Sequence, residues 1–132
     1  MVLTQVIVLD THVWVWRVSN SAKLSKRMRA KLEKARGLGV PAIACWEVAM
    51  LEAKRRLALA QPARVWIELA LASPGISLLP LDPEIAWLSM NLPGDFHGDP
   101  ADRMIVATAL HLGLPLATVD KQIIQWGQVK VA

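Results

Sequence analysis

Short hydrophobic runs alternate along the chain with longer amphipathic stretches, and this alternation predicts strands separated by helices. Each run is mostly apolar and is bounded by polar or turn-forming residues, which is typical of strands buried in a parallel sheet. The runs occupy residues 5–9, 39–42, 76–79 and 116–119, and a last short strand is predicted at 129–131. The pattern predicts an α/β fold with three layers, in which helices flank both faces of a central parallel sheet of about four to five strands.

Capping residues mark where the predicted helices begin and end. Asp99 is a good N-cap, Pro100 suits the first helical position, and Gly113 fits a left-handed residue at a helix end. Ser25 is the predicted cap of a basic helix that stops at Gly37. The predicted helices span residues 11–17, 26–36, 43–57, 61–73, 83–92, 100–112 and 121–126.

Composition restricts the class of protein. With 132 residues, 54% of them hydrophobic, and a mean hydropathy of +0.34, we expect one globular domain spanning residues 1–132. The longest uncharged run, residues 104–119, is interrupted by Gly113 and Pro115 and is too short to cross a membrane. The first residues lead into a strand without a secretion signal, so we expect a cytoplasmic protein. The single cysteine, Cys45, excludes an internal disulfide and a zinc site built from several thiolates.

Basic residues are concentrated in two segments. Fifteen lysines and arginines against eleven acids give a formal charge of +4. Seven of the basic residues fall within 23–36, where Glu33 is the only acid, and three more occupy 54–56. A polyanionic partner would explain this distribution, and a solvated helix face would explain each cluster taken alone equally well.

Five acids occupy positions that the edge of a sheet would bring together. Asp10 and Asp120 each follow a predicted buried strand. Glu47, Asp99 and Asp102 lie at or near predicted helix N-termini. If the two strands are neighbours, these carboxylates converge at the carboxyl edge, where they repel one another unless a cation neutralises them. Oxygen ligands select a hard ion such as Mg²⁺ or Mn²⁺, as in metal-dependent nucleases. Taken alone, each of the four aspartates could be a cap or a turn residue, and Glu47 could be a structural acid with a buried partner.

Four segments carry a resemblance to a known family. They read VLDTH at 8–12, WEVA at 46–49, DPADRMIVA at 99–107 and ATVD at 117–120. In this order they resemble the PIN domain family and, more narrowly, the VapC ribonuclease toxins of bacterial toxin–antitoxin pairs. The resemblance covers essentially the whole chain and implies the PIN-like fold.

The resemblance also implies a catalytic metal site. Four acids would hold Mg²⁺ or Mn²⁺ and support catalysis: Asp10, Glu47, Asp102 and Asp120. Asp99 is implied as a supporting ligand or cap, and Thr11 and Thr118 as residues that orient carboxylates or water molecules. The chain departs from the usual family pattern at Pro41 and Ala44, where hydroxyl residues are frequent, which weakens a helix cap and removes no ligand.

The implied activity is an endoribonuclease that cleaves phosphodiester bonds with water activated by the cation, leaving a 5′ phosphate. The resemblance further implies a homodimer and a VapB-like antitoxin that covers the basic groove and inserts a side chain into the acidic pocket. Candidate contacts to RNA are Lys26, Arg27, Arg29, Arg55 and His97. Two alternatives remain open, namely a PIN nuclease in RNA processing without a toxin role and a non-catalytic RNA- or protein-binding module on the same fold.

Three further side-chain predictions depend on the helical pattern. The tryptophans on predicted helices, among them Trp46 and Trp87, are expected in the core or in a dimer interface, with stacking on RNA bases as the alternative. Arg103 is expected to pair with a nearby acid. His12 is expected to be a packing residue.

Overall fold

The computed structural model describes residues 5–132, and in this range four strands alternate with seven helices. In chain order the elements are β1 (Val6–Leu9), α1 (Thr11–Val18), α2 (Lys26–Lys34), β2 (Gly37–Pro41), α3 (Ala42–Ala53), α4 (Ala63–Leu71), β3 (Ile76–Leu79), α5 (Pro83–Ser89), α6 (Pro100–Leu112), β4 (Leu116–Ala117) and α7 (Lys121–Trp126). The strands form one parallel sheet in the order β3-β2-β1-β4. The predicted α/β fold with a parallel sheet is confirmed.

β1 lies inside the sheet, between β2 and β4. Val6 is opposite Gly37 of β2, and Val8 is opposite Leu116 of β4. Because the strands are parallel, their carboxyl ends share one edge, and the chain segments that follow β1 and β4 are neighbours there. This register brings the segment beginning at Asp10 next to the segment that contains Asp120.

Side chains of β1 alternate between two hydrophobic clusters, one on each face of the sheet. Ile7 and Leu9 pack in a cluster with Trp14 and with residues from α2, α3 and α4. Val8 packs in the other cluster with residues from α6 and α7, including Ile105. Helices therefore cover both faces of the sheet, and the two clusters hold its carboxyl edge in a fixed position.

Helix boundaries follow the predicted caps at several positions. The side chains of the predicted caps Ser25 and Asp99 accept hydrogen bonds from backbone N–H groups in the first turn of α2 and α6, and the side chain of Asp82 does so in α5. Gly113 ends α6 with a φ of 65°, in the left-handed region that glycine adopts without strain. Pro41 precedes α3 without a side-chain cap hydrogen bond, as its sequence predicts.

Several boundaries differ from their predictions, and two of the differences have a local cause. Gly37 is the first residue of β2 and not the stop of α2, because the backbone already becomes extended at Ala35, which has a ψ of 147°. The predicted strand at 129–131 is reduced to one parallel bridge between Val131 and Leu116, since β4 itself spans only two residues. The sheet is therefore at the lower end of the predicted strand number.

The tryptophans divide into buried and exposed groups. Trp14 and Trp66 are buried and pack edge to face with ring centroids 4.8 Å apart. Trp46 and Trp87 are 55% and 64% exposed, so they do not pack in the core of this chain, and a dimer interface stays a prediction for them. On α3 the stripe formed by Ala44 and Val48 faces the core and turns Trp46 outward. Among the described helices, none combines the length and the apolar character that crossing a bilayer requires.

Candidate active site

A cleft of about 310 Å³ opens at the carboxyl edge of the sheet, and we call it the acid cleft. It contains all five acids that the sequence indicated. Its lining residues are Asp10, His12, Trp16, Glu47, Asp99, Asp102, Val119 and Asp120. The sheet order explains this convergence, because β1 and β4 are neighbours and α3 and α6 both begin at the same edge.

Asp10 occupies the carboxyl end of β1 and is buried. Its Oδ1 accepts a hydrogen bond from the Thr11 backbone N–H at 2.9 Å, which caps α1. Its Oδ2 accepts a hydrogen bond from Thr118 Oγ1 at 2.6 Å. Because both oxygens are engaged, the carboxylate is fixed in one orientation between β1 and the end of β4.

Thr118 and Asp120 follow β4. The Asp120 backbone N–H donates to Thr118 Oγ1 at 3.0 Å, so this hydroxyl joins Asp10 to Asp120. Asp120 Oδ1 accepts from the Gln122 backbone N–H at 2.8 Å and caps α7. The structure thus gives Thr118 the orienting position that the resemblance implied, and it leaves the second oxygen of Asp120 available to the cleft.

Glu47 enters the acid cleft from α3 and is buried like Asp10. Thr11 Oγ1 donates to Glu47 Oε1 at 2.5 Å, which connects the first turn of α1 to α3. The buried carboxylate therefore has a polar partner, as a buried charge requires. Thr11 both orients Glu47 and, through its backbone N–H, orients Asp10.

The N-terminus of α6 supplies Asp99 and Asp102. Asp99 Oδ1 accepts from the Asp102 backbone N–H at 2.9 Å, and Pro100 occupies the first turn. One carboxylate oxygen from each of Glu47, Asp99 and Asp102 lies within 4.8 Å of the others, which is close enough for one cation to contact all three. Sequence analysis gave Asp99 a supporting role, whereas the geometry includes it in this closest group.

Burial and mutual repulsion perturb the acids. The pKa of Asp102 is raised from 3.8 to about 7, chiefly by burial and next by the charge of Asp99, with smaller contributions from the other three acids. Burial also raises the pKa of Asp10, and the hydrogen bond from Thr118 offsets part of this rise. Burial likewise raises the pKa of Glu47, and the hydrogen bond from Thr11 offsets part of that rise. The cluster therefore binds protons tightly, and a cation would relieve the same repulsion.

None of the predicted RNA contacts lines the acid cleft. Lys26 and Arg27 are exposed on α2, and Arg55 is exposed just after α3. Arg29 Nη2 donates to the Ser21 backbone oxygen at 3.0 Å, which stabilises the turn before α2. Within residues 5–132, no lysine or arginine lines the acid cleft. His97 lies in the loop before Asp99, and its Nε2 is 3.2 Å from Asp95 Oδ2.

Sequence analysis missed three residues of the acid cleft, namely His12, Trp16 and Val119. His12 is exposed and lines the cleft together with Trp16, and their ring centroids are 5.8 Å apart. The prediction that His12 packs inside the protein is therefore wrong. The sequence contains a signal for this position. Because α1 starts directly after Asp10 at the end of β1, His12 in its first turn lies at the carboxyl edge of the sheet. Trp16 lies four residues later on the same side of the helix.

Arg103 was also predicted wrongly. It follows Asp102 on α6 but donates to backbone oxygens, from Nε to Ser89 at 2.8 Å and from Nη1 to Phe96 at 2.7 Å. The guanidinium geometry suits two such acceptors. Arg103 thereby joins the end of α5 to the loop at 93–98, which leads into Asp99.

Comparison with known proteins agrees with this architecture. The family model described as "PIN domain" matches residues 7–127. Ribonuclease VapC22 of Mycobacterium tuberculosis is 34% identical over 117 residues, which cover 89% of this chain and 88% of that protein. The chain also resembles VapBC2 from Rickettsia felis, solved bound to a DNA fragment from its promoter, with a TM-score of 0.70 and 12% identity over 97% of this chain and 98% of that one.

A second structural relative is Mycobacterium tuberculosis VapC20, a sarcin-ricin loop cleaving toxin. It has a TM-score of 0.67 and 17% identity, and the match covers 95% of this chain and 98% of VapC20. At these identities the structural matches show the fold, while the family model and the relative at 34% identity show the family. The chain therefore belongs to the PIN domain family and, within it, is VapC-like.

Proposed function

We propose that this protein is an endoribonuclease that depends on Mg²⁺ or Mn²⁺, and that the whole chain works as one PIN domain. The observation that carries the proposal is the acid cleft, in which five carboxylates converge at the carboxyl edge of the sheet. The 34% identity to Ribonuclease VapC22 supports RNA as the substrate. Because the proposed substrate is cellular RNA, we also propose that the protein acts in the cytoplasm.

The donor set suits a hard divalent cation. Glu47, Asp99 and Asp102 would hold the ion through carboxylate oxygens, with Asp10 and Asp120 on the strand side of the cleft. When bound, Mg²⁺ or Mn²⁺ neutralises the carboxylates, polarises a phosphate oxygen and lowers the pKa of water. Thr11 and Thr118 hold two of the carboxylates in place, so little reorganisation is needed when substrate binds.

Hydrolysis by water has a defined product. If water attacks phosphorus and the 3′ oxygen leaves, the downstream fragment carries a 5′ phosphate. Attack by the 2′ hydroxyl of the RNA would instead leave a cyclic phosphate. Mapping the ends of the fragments therefore tests the reaction type separately from the cleavage site.

A partner surface adjoins the acid cleft. Trp16 lines this cleft and also a groove of about 450 Å³ that includes Leu57, Leu59 and Leu69. A segment seated in the apolar groove would therefore extend towards the acids. We propose that a VapB-like antitoxin occupies this groove and blocks the acid cleft, as expected for the toxin of a VapBC-type pair.

Self-association is proposed through a different face. Trp87 and Met90 are 64% and 72% exposed and lie three residues apart on one side of α5 and its C-terminal end. Burial of this apolar surface against a second copy would give the homodimer that the family resemblance implies. A concentration-dependent dimer that Trp87→Lys abolishes in sedimentation experiments is the expected result.

The central experiment is cleavage of total cellular RNA by purified protein freed of any partner. We expect discrete fragments in Mg²⁺ or Mn²⁺, none with a chelator, and none with Asp102→Asn. Glu84→Gln is the matched control, because it removes an exposed carboxylate in the first turn of α5, outside the acid cleft. Normal cleavage by Asp102→Asn, or cyclic phosphate ends, would contradict the proposal.

Toxicity needs a separate test. Expression of the wild-type protein should arrest growth, and expression of Asp102→Asn should not. Rescue by a co-expressed antitoxin would support the VapBC-type pair. RNA cleavage without growth arrest would instead favour a PIN nuclease of RNA processing.

A further inference from the structure

A second cleft of about 280 Å³, here called the aromatic cleft, is lined by two segments that adjoin acids of the acid cleft along the chain. It is lined by Asp95, Phe96, His97, Gln122, Gln125 and Trp126. One wall is the loop at 93–98, which continues directly into Asp99. The other is α7, which begins directly after Asp120. A polymer whose phosphate lies at the acids can therefore place a neighbouring group in the aromatic cleft.

The floor of the aromatic cleft is a pair of fixed aromatic rings. Phe96 and Trp126 have centroids 5.0 Å apart and planes inclined by 49°. Trp126 Nε1 donates to the Pro93 backbone oxygen at 2.9 Å, which sets the orientation of the indole. The guanidinium of Arg103 lies 5.9 Å from the Phe96 ring centroid and binds the Phe96 backbone oxygen. The platform is thus organised before any ligand binds.

Two amides form the adjoining wall. Gln122 and Gln125 lie three residues apart on α7, on the same side of the helix, and both are exposed. A glutamine amide offers both donors and acceptors, which match the edges of a nucleobase. Aromatic platforms combined with amide hydrogen bonds are the usual means by which proteins recognise unpaired RNA bases.

The charge of the aromatic cleft distinguishes a base from a phosphate. Among its lining residues, Asp95 is acidic and His97 is the one group that could be positive, and these two side chains pair with each other. A phosphate would meet little positive charge there and would be repelled by Asp95. A neutral, planar base meets neither obstacle.

We propose that the aromatic cleft binds the nucleobase of a nucleotide next to the scissile phosphate and so gives the enzyme a sequence preference at that position. This inference rests on the proposed ribonuclease function. The partly exposed ring of Trp126 provides stacking, the buried ring of Phe96 supports it from below, and the amides of Gln122 and Gln125 read the edge of the base.

The first test is the double variant Gln122→Ala/Gln125→Ala on an RNA library with randomised sequence. Wild type should prefer particular bases at one position beside the cut, and the double variant should lose that preference. On a preferred substrate we expect KM to rise about tenfold while kcat stays within about twofold, because the acids are unchanged. Gln5→Ala is the matched control, since Gln5 is an exposed glutamine at the opposite edge of the sheet.

The second test is crosslinking, which does not require cleavage. Asp102→Asn protein is irradiated with a short RNA that contains 5-iodouridine and is then digested with trypsin. Cleavage after Lys121 and Lys130 yields the peptide 122–130, whose one tryptophan is Trp126. We expect crosslinks on this peptide.

The outcomes separate this inference from the proposed function. Cleavage by wild type with an unchanged preference and KM in the double variant would overturn the base site and leave the ribonuclease intact. Crosslinks confined to residues outside the aromatic cleft would overturn it as well. Wild-type protein that neither cuts nor binds RNA would overturn both.

Discussion

The raised pKa of Asp102 predicts how the free energy of unfolding of the metal-free protein changes with pH. Its pKa is raised from 3.8 to about 7 in the folded protein, so the folded state binds this proton more tightly than the unfolded chain does. As the pH rises from about 4 to about 7, the unfolded chain releases the proton first, and the folded state loses relative stability. Above about pH 7 the loss contributed by Asp102 is complete.

The size of this loss follows from the pKa change. At about 1.36 kcal/mol for each pKa unit, the upper limit is roughly 4 kcal/mol. Asp102 is only half-buried, so solvent screens its charge and we expect about 1–2 kcal/mol. Asp102→Asn removes the charge and keeps the shape. The variant should therefore gain most of this amount in stability over wild type as the pH rises from 5 to 8.

Urea unfolding with a chelator at pH 5, 6, 7 and 8 measures the effect, with Glu84→Gln as the control that should follow wild type. Adding Mn²⁺ at pH 8 should stabilise wild type by about 2.7 kcal/mol when the free ion is at 100 times its Kd, and Asp102→Asn by much less. A constant difference in stability between wild type and Asp102→Asn across the pH range would refute the reasoning.

Three more substitutions test the supports of the site. Thr11→Val removes the hydrogen bond to buried Glu47 and should cost about 1–3 kcal/mol in urea unfolding, whereas Thr11→Ser should retain most of the stability. Gly98→Ala would place a Cβ 2.4 Å from the Phe96 ring and should lower the free energy of unfolding by about 1–3 kcal/mol; an unchanged Tm would contradict this contact. Arg103→Met removes both backbone hydrogen bonds, so hydrogen exchange in the loop at 93–98 should accelerate while exchange in β1 stays the same.

Capping chemistry made much of the fold predictable. Asp99, Pro100 and Gly113 define both ends of α6 through local hydrogen bonding and backbone geometry, and the structure agrees with them. The convergence of the acids was predictable only on the condition that β1 and β4 are neighbours. That condition is a long-range pairing, which hydrophobic periodicity does not encode.

Other features depend on contacts between distant segments. Arg103 was expected to bind a carboxylate because acids surround it in the sequence, but the end of α5 and the loop at 93–98 present backbone oxygens to it. Trp46 was expected in the core or in a dimer interface because its helix is apolar on most sides, and which side faces the core depends on how α3 packs against its neighbours. Neither outcome can be read from local pattern alone.

Three of the cleft acids, Asp10, Asp99 and Asp120, each cap the helix that follows them. Selection on the fold and selection on the chemistry therefore act on the same atoms at these positions. In a descendant that has lost nuclease activity, we expect these three positions to drift towards Asn, Ser or Thr, which still accept the capping hydrogen bond. Glu47 and Asp102 cap no helix, so they would drift without that constraint. The substitutions in such descendants would therefore show whether catalysis or helix capping was lost first.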